Sequence, residues 1–312
     1  KDSVLYADRA LLIDARDLES LYAKSLSLMK LAKYQNAQAC LQAIRNIRQE
    51  YRDTTYYMGL CQVHQGNPEE AMMIFDEFLR THPHHADCLL QKGLIHARLE
   101  NYSESILCFD EILGQMPNHT WSLFNKGKSL MALGEYDRAL SCYERIAKQQ
   151  CTNEIILEKA LALSVLGQHE KSLSCFDEVL ECDPANYVAL KNKASLLSDL
   201  GRYSESLEFA NRALECEKDD PGMLLTKAKL LQLLGRHVEA VAAFDHVLSH
   251  NASDVDALFH KAKSLLLLGK VAESLEAIDV LISADPVYRQ IISRDQVLAK
   301  LSSNPQFRAK IK

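Results

Sequence analysis

Small residues recur along this chain at a fixed interval, and large apolar residues follow them at a fixed offset. Residues 126–146 read KGKSLMALGEYDRALSCYERI, and residues 159–179 read KALALSVLGQHEKSLSCFDEV. With Gly127 in the eighth slot of a 34-residue frame, repeats start at Leu18, Arg52, Ala86, Thr120, Asn153, Tyr187, Pro221 and Val255. Every step is 34 residues except one of 33, between Thr120 and Asn153. The eighth slot is always small: Ser25, Gly59, Gly93, Gly127, Ala160, Ala194, Ala228 and Ala262. So is the twentieth: Ala37, Ala71, Ser105, Ala139, Ser172, Ser206, Ala240 and Ser274. Four slots later stand Phe75, Phe109, Tyr143, Phe176 and Phe244. Two helices approach closely only where side chains are small, so each repeat is predicted to be a helix pair crossing at these two slots. The fifteenth slot holds Gly66, Gly134, Gly167, Gly201, Gly235 and Gly269, which suits a left-handed residue ending the first helix. Pro83, Pro117, Pro184 and Pro286 stop the second.

A repeat at this period resembles the tetratricopeptide repeat family. Residues 86–119 show it well, with Leu89, Gly93, Tyr102, Ser105, Phe109 and Pro117 in place. The resemblance covers nearly the whole chain. It implies an all-α fold, an α-solenoid in which about eight helix pairs wind into a right-handed superhelix. The pairs are expected at 18–51, 52–85, 86–119, 120–152, 153–186, 187–220, 221–254 and 255–288. Two repeats depart from the pattern and are expected to pack more loosely. Repeat 18–51 has Ala32 and Gln49 where the turn glycine and the proline belong, and repeat 187–220 has Ala210 where an aromatic is usual. Residues 1–17 align with 203–220: Ala7-Asp8-Arg9-Ala10-Leu11 matches Ala210-Asn211-Arg212-Ala213-Leu214. They are expected to form the second helix of a truncated repeat, which suggests a piece of a longer protein; a natural N-terminal cap is the alternative. Residues 289–312 are expected to supply a C-terminal capping helix, spanning Tyr288–Leu301, and a tail.

Composition narrows the classes. A net charge of −6 argues against a general nucleic-acid binder, whose footprint is a basic face. No apolar run approaches the roughly 18 residues of a membrane span. Nine cysteines without a CxxC pair fit a reducing compartment, cytoplasmic or nuclear. Most follow the frame: Cys40, Cys108, Cys142 and Cys175 share the twenty-third slot, and Cys182 and Cys216 share the thirtieth. Periodic placement predicts small buried hydrophobes.

Other chemical signals dissolve on inspection. Gly127-Lys128-Ser129 ends like a phosphate-binding loop, but Ser122 stands where that motif needs glycine, and the triplet falls mid-helix. His82, His84 and His85 lie between two repeats without acidic or cysteine partners at a known metal spacing, so they read as a solvated turn. His169 and His237 fill a slot held elsewhere by Tyr34, Tyr102, Tyr136 and Tyr203, as packing substitutes. No nucleophile is paired with a histidine. No catalytic residue, metal site or cofactor is expected. One charge pattern predicts structure. Lys24, Lys92, Lys126, Lys159, Lys193, Lys227 and Lys261 share the seventh slot. Asp76, Asp110, Glu144, Asp177, Asp245 and Asp279 share the twenty-fifth, so a ladder of ion pairs is expected.

Residues that repeat maintain the fold, and residues that vary are the candidates for recognition. The resemblance implies a non-catalytic protein-interaction scaffold that takes an extended peptide or partner segment in a concave groove lined by first helices. The candidates are Tyr22, Tyr56, Tyr57, Gln91, Trp121, Phe124, Asn125, Lys128, Lys191, Asn192, Lys229 and Lys263. Asn125 and Asn192 resemble asparagines that grip a peptide backbone in some family members, since an amide both donates and accepts. The groove is expected to be aromatic in its N-terminal half and basic in its C-terminal half. A matching ligand would carry apolar and acidic segments. The clamp of chaperone-binding members is absent: Lys191 is followed by Ser195, Thr226, Asp256 and His260. Two alternatives stand beside the scaffold. One is the repeat arm of a larger enzyme or signalling protein; the other is a self-associating subunit of a large assembly.

Overall fold

The computed structural model describes residues 2–311, with side chains through Lys310, and among them there is helix but no strand. A leading helix, α1 (Asp2–Ile13), precedes four pairs: α2 (Leu18–Lys30) with α3 (Tyr34–Ile47), α4 (Thr54–Gln65) with α5 (Pro68–Thr81), α6 (Ala86–Arg98) with α7 (Tyr102–Gln115), and α8 (Thr120–Ala132) with α9 (Tyr136–Ala147). Four more pairs follow: α10 (Asn153–Val165) with α11 (His169–Cys182), α12 (Tyr187–Asp199) with α13 (Tyr203–Cys216), α14 (Pro221–Leu233) with α15 (His237–His250), and α16 (Val255–Leu267) with α17 (Val271–Ala284). The chain divides into two compact units after Cys151, beside the single 33-residue step of the frame. Within each unit every helix packs on the next, and first helices of neighbouring repeats touch, as α6 touches α8 and α12 touches α14.

The repeating residues explain the pairs. In three of the four repeats of the first unit the eighth slot is a glycine under an aromatic ring. A Cβ added to Gly59, Gly93 or Gly127 would stand 2.3, 2.7 or 2.6 Å from the ring of Phe75, Phe109 or Tyr143. In the second unit Ala160, Ala194 and Ala262 are wholly buried, and their carbonyls accept hydrogen bonds from Ser172, Ser206 and Ser274 Oγ at 2.7, 2.7 and 2.8 Å. That bond ties the second helix to the first at the crossing. The fifteenth slot is left-handed in every repeat, at the glycines and also at Ala32 (φ 56°) and Glu100 (φ 61°). Each of these two side chains costs about 1–2 kcal/mol there. The next residue closes the turn: the N–H of Asn101 donates to His96 O at 2.9 Å, as Arg202 does to Leu197 O.

Inter-repeat loops supply the caps. Asp17, Asn186, Asp220 and Asp254 accept from the third N–H of the following helix. His85 and His119 do the same through Nδ1, so their protons sit on Nε2. The solvated turn expected at His82, His84 and His85 is therefore a worked structure. His82 stacks on Phe78, His84 meets Glu111 at 2.8 Å, and His85 caps α6.

The lysine ladder forms between neighbours where an acid stands sixteen residues back; Lys159, which has Tyr143 at that offset, forms no ion pair among the described residues. Lys92–Asp76 and Lys261–Asp245 close at 2.6 Å and Lys126–Asp110 at 2.5 Å, and Lys193 pairs with Asp177. Lys227 has Asn211 at that offset and forms no ion pair among the described residues. Helix α1 stands on α2 as α7 stands on α8. Lys24 meets Asp8 at 2.7 Å, and Ser3 Oγ lies 2.8 Å from Ser27 Oγ as Ser105 Oγ lies 3.1 Å from Ser129 Oγ.

Two expectations change. Cys40, Cys142 and Cys175 are buried, but Cys182 and Cys216 are exposed, because the thirtieth slot falls at the open end of the second helix. Burial lifts the Cys61 thiol to about 11 and, first among its causes, the Cys88 thiol to about 12, so these are packing groups. The single helix expected over Tyr288–Leu301 is broken. After α18 (Tyr288–Arg294), Asp295 Oδ1 accepts from the N–H groups of Val297 and Leu298 at 2.9 and 3.0 Å. That turn hands the chain to a 3-10 helix, Leu298–Ser303, and then to α19 (Pro305–Ile311). Ile292, Leu298, Leu301 and Phe307 bury themselves against Leu258, Ile278 and Leu281, covering the last repeat.

Candidate binding face on the first helices

Each unit presents a face made by its first helices. In the first unit aromatic residues crowd it. Tyr22 meets Tyr51 and Tyr57 with ring centroids 5.9 Å apart, and Tyr56 meets Tyr57 at 5.2 Å. Arg52 lies 5.1 Å over the Tyr22 ring and donates to Glu19 at 2.6 Å. Tyr22, Tyr56 and Phe124 are buried and take part in packing, and burial is the first cause raising both tyrosine hydroxyls above their ordinary range. Tyr57 and Gln91 are half-buried. Trp121 is different: it is 67% exposed at the start of α8. Its carbonyl accepts from Asn125 Nδ2 at 2.7 Å, so the Asn125 amide keeps its oxygen for other use. Lys128 lies 5.5 Å over the Phe124 ring. Gly127, Lys128 and Ser129 sit inside α8, well away from any loop.

In the second unit the lysines carry acids. Lys191 meets Asp220 at 3.2 Å, Lys229 meets Asp256 at 2.9 Å, and Lys263 meets Asp295 at 2.8 Å. The Tyr187 hydroxyl also donates to Asp220 at 2.5 Å. The hydrogen bond from Lys229 is the first cause holding Asp256 below the usual carboxylate range. Burial opposes ionisation of Asp220 and Asp295, but their hydrogen bonds outweigh it and hold both carboxyls low. The half-basic wall read from sequence is thus a row of compensated pairs. Asn192, half-buried beside the first pair, forms no hydrogen bond among the described residues.

Sequence reading passed over one network. Gln232 Nε2 donates to His260 O and to Ser264 Oγ, both at 2.7 Å, and Gln232 Oε1 therefore accepts from His260 Nδ1 at 2.7 Å. That fixes the proton of neutral His260 on Nδ1. Burial first, then the charges of Lys229 and Lys263, push the imidazole down to about 4, against Asp256 and Asp295. The available signal was His260 itself, a titratable residue at the frame position that holds Asn125 and Asn192 in other repeats.

These elements define a tandem helical-hairpin protein with one variable face per unit. Profiles of the tetratricopeptide repeat match residues 53–85 and 121–150, 175–208, and 225–288, together just over half of the chain. The chain belongs to the tetratricopeptide repeat family, and as a member it is a protein-interaction scaffold. No curated protein matches it in sequence. Among solved structures it is similar to a tetratricopeptide repeat protein from Parabacteroides merdae, at 15% identity and TM-score 0.60, over 80% of this chain and 98% of that one. It is similar to a chain of the APC/C hetero-tetramer Cut9–Hcn1, at 14% identity and TM-score 0.54, over 96% of this chain and 56% of that one. It is also similar to YrrB, described as a TPR protein with an unusual peptide-binding site, at 18% identity and TM-score 0.52, over 62% and 97%. At these identities the likeness concerns the fold. Among the described residues no helix is long and apolar enough to cross a membrane.

Proposed function

We propose that the chain is a non-catalytic scaffold that binds an extended segment of a partner protein along its first-helix faces. The observation that carries this reading is Trp121. A tryptophan 67% exposed on a helix whose other large residues pack inward has no part in holding the repeat together. Tryptophan is also a residue type that dominates binding hot spots. On the first helices of the same unit Tyr57, Gln91 and Asn125 offer an aromatic edge and amides, each amide bond to a peptide contributing about 0.5–1.5 kcal/mol. Further along the chain Asn192 offers an amide without an internal partner. The lysine–aspartate pairs favour a segment with both hydrogen-bond donors and acceptors over a polyanion, because each cation already has its acid. With a net charge of −6 this argues for protein over nucleic acid. YrrB, by its description a peptide binder, is a precedent for such use of the fold.

The test is capture from native extract with three baits, read by mass spectrometry: wild type, Trp121→Ala/Asn192→Ala, and the ladder variant Lys126→Met. The reading expects a partner held by wild type and by the ladder variant but lost by the face variant. Equal capture by all three would remove the first helices from the binding surface. A second reading, self-association, is favoured by Leu5, Tyr6, Leu12 and Ile13 of α1, which stand 51–91% exposed. A particle mass in solution of one chain would dismiss it.

A further inference from the structure

On the surface of the second unit, His246 and His250 stand one turn apart on α15, with ring centroids 5.2 Å apart. Asp219, in the loop that closes the preceding repeat, brings a carboxylate oxygen to 3.9 Å from His250 Nε2. One ligand atom from each of the three lies within 4.8 Å of the others. We propose that His246, His250 and Asp219 form a binding site for one borderline transition-metal ion, with zinc(II) as the reference ligand.

Four observations support it. The donor set is two imidazoles and one carboxylate, which suits zinc, cobalt, nickel or copper and disfavours the hard ions magnesium and calcium. The spacing is close to what an ion needs. Bonds of about 2.0–2.2 Å place tetrahedral ligand atoms about 3.4 Å apart, a shift that exposed side chains make by rotating about their own bonds. The residues also belong to no structural pattern. The twenty-sixth slot, which holds His246, carries Glu77, Glu111, Arg145, Glu178 and Arg212 in other repeats; the thirtieth, which holds His250, carries Thr81, Gln115, Gln149, Cys182 and Cys216. Among the described residues neither ring donates or accepts a protein hydrogen bond, whereas His84 and His85 are engaged with Glu111 and the start of α6. Three protein ligands leave a coordination position for water or for a donor from a partner. Such an ion would join the loop before α14 to α15, cross-linking repeats 187–220 and 221–254. It would favour the folded state by mass action. Asp220, next to Asp219, caps α14 and holds Lys191, so the same loop anchors part of the first-helix face.

The experiment is titration calorimetry of the metal-free chain with zinc(II), repeated with His246→Ala, His250→Ala, the double variant His246→Ala/His250→Ala, and Asp219→Asn. Tm is measured with and without the ion. All three residues are exposed, so the variants should melt with the wild type when no metal is present. The proposal expects one equivalent bound by wild type and a rise in Tm. It expects a loss of at least tenfold in affinity for each histidine variant and a smaller loss for Asp219→Asn. Absence of binding to wild type would overturn it. So would binding of unchanged affinity to the variant lacking both histidines, which would place the ion elsewhere, for example at His82 and His84.

Discussion

At three of the four helix crossings of the first unit a glycine lies under an aromatic ring, as Gly93 lies under Phe109; at three of the four of the second an alanine carbonyl takes a serine hydroxyl, as Ala194 takes Ser206. Both devices serve one requirement, a close approach of two helices. The first removes volume and fills the space with a ring. The second keeps a good helix former and adds a polar bond. The faces differ in parallel. The first unit shows aromatic residues and an exposed tryptophan, the second a row of lysine–aspartate pairs around a neutral histidine. Slots tied to the crossing tolerate only small residues, whatever the device. Slots facing outward on the first helices are free to change, and they do so from one repeat to the next.

The largest effect that separates the two devices is at the glycines. Gly59→Ala or Gly93→Ala should cost about 1–3 kcal/mol, since the new methyl meets a buried ring with nowhere to move. The reverse change, Ala194→Gly, should cost only about 1 kcal/mol, the helix-propensity difference. Denaturant melts of the three variants compare them, and equal costs would mean that the ring and the serine do not divide the work as described.

Next comes the pH dependence of the second unit. His260 sits near 4 when folded against an ordinary 6.5, so between these values the unfolded chain binds more protons. Stability is therefore fully present above about 6.5 and falls as pH drops toward about 4. His260→Gln should remove that component of the slope in Tm against pH, whereas a histidine at an exposed site should leave it.

Smaller still is the serine bond. Ser206→Ala should cost about 0.5–1.5 kcal/mol. A double-mutant cycle on Lys126 and Asp110 should give a coupling of about 0.2–1 kcal/mol, as for a half-exposed pair. Lys227, which has Asn211 in place of an acid, supplies the control: the same cycle there should give none.

What could be read from sequence follows from what repeats. The small eighth and twentieth slots, the left-handed fifteenth and the lysine ladder recur at one offset, so eight copies average out the noise of any single one. Even Ala32 and Glu100 take the left-handed turn, because the Schellman bonds around them outweigh their strain. The face was less legible. Lys191, Lys229 and Lys263 find acids 29, 27 and 32 residues ahead, with no common spacing. Their compensation was therefore hidden, and a wall of lysines looked basic. Tyr22, Tyr56 and Phe124 looked available because their slot faces outward in the frame, yet their rings turn into neighbouring aromatic clusters. The caps by His85 and His119 were missed because an imidazole nitrogen there does what a carboxylate does elsewhere.

The most direct test of the account is the emission of Trp121, the single tryptophan of the chain, while the captured partner segment is titrated in. If the first-helix face binds the partner, the indole leaves water and its emission moves to shorter wavelength, saturating with the binding curve. Binding by an independent signal with unchanged emission would contradict the account, since the partner would then sit elsewhere and the variation on this face would need another cause.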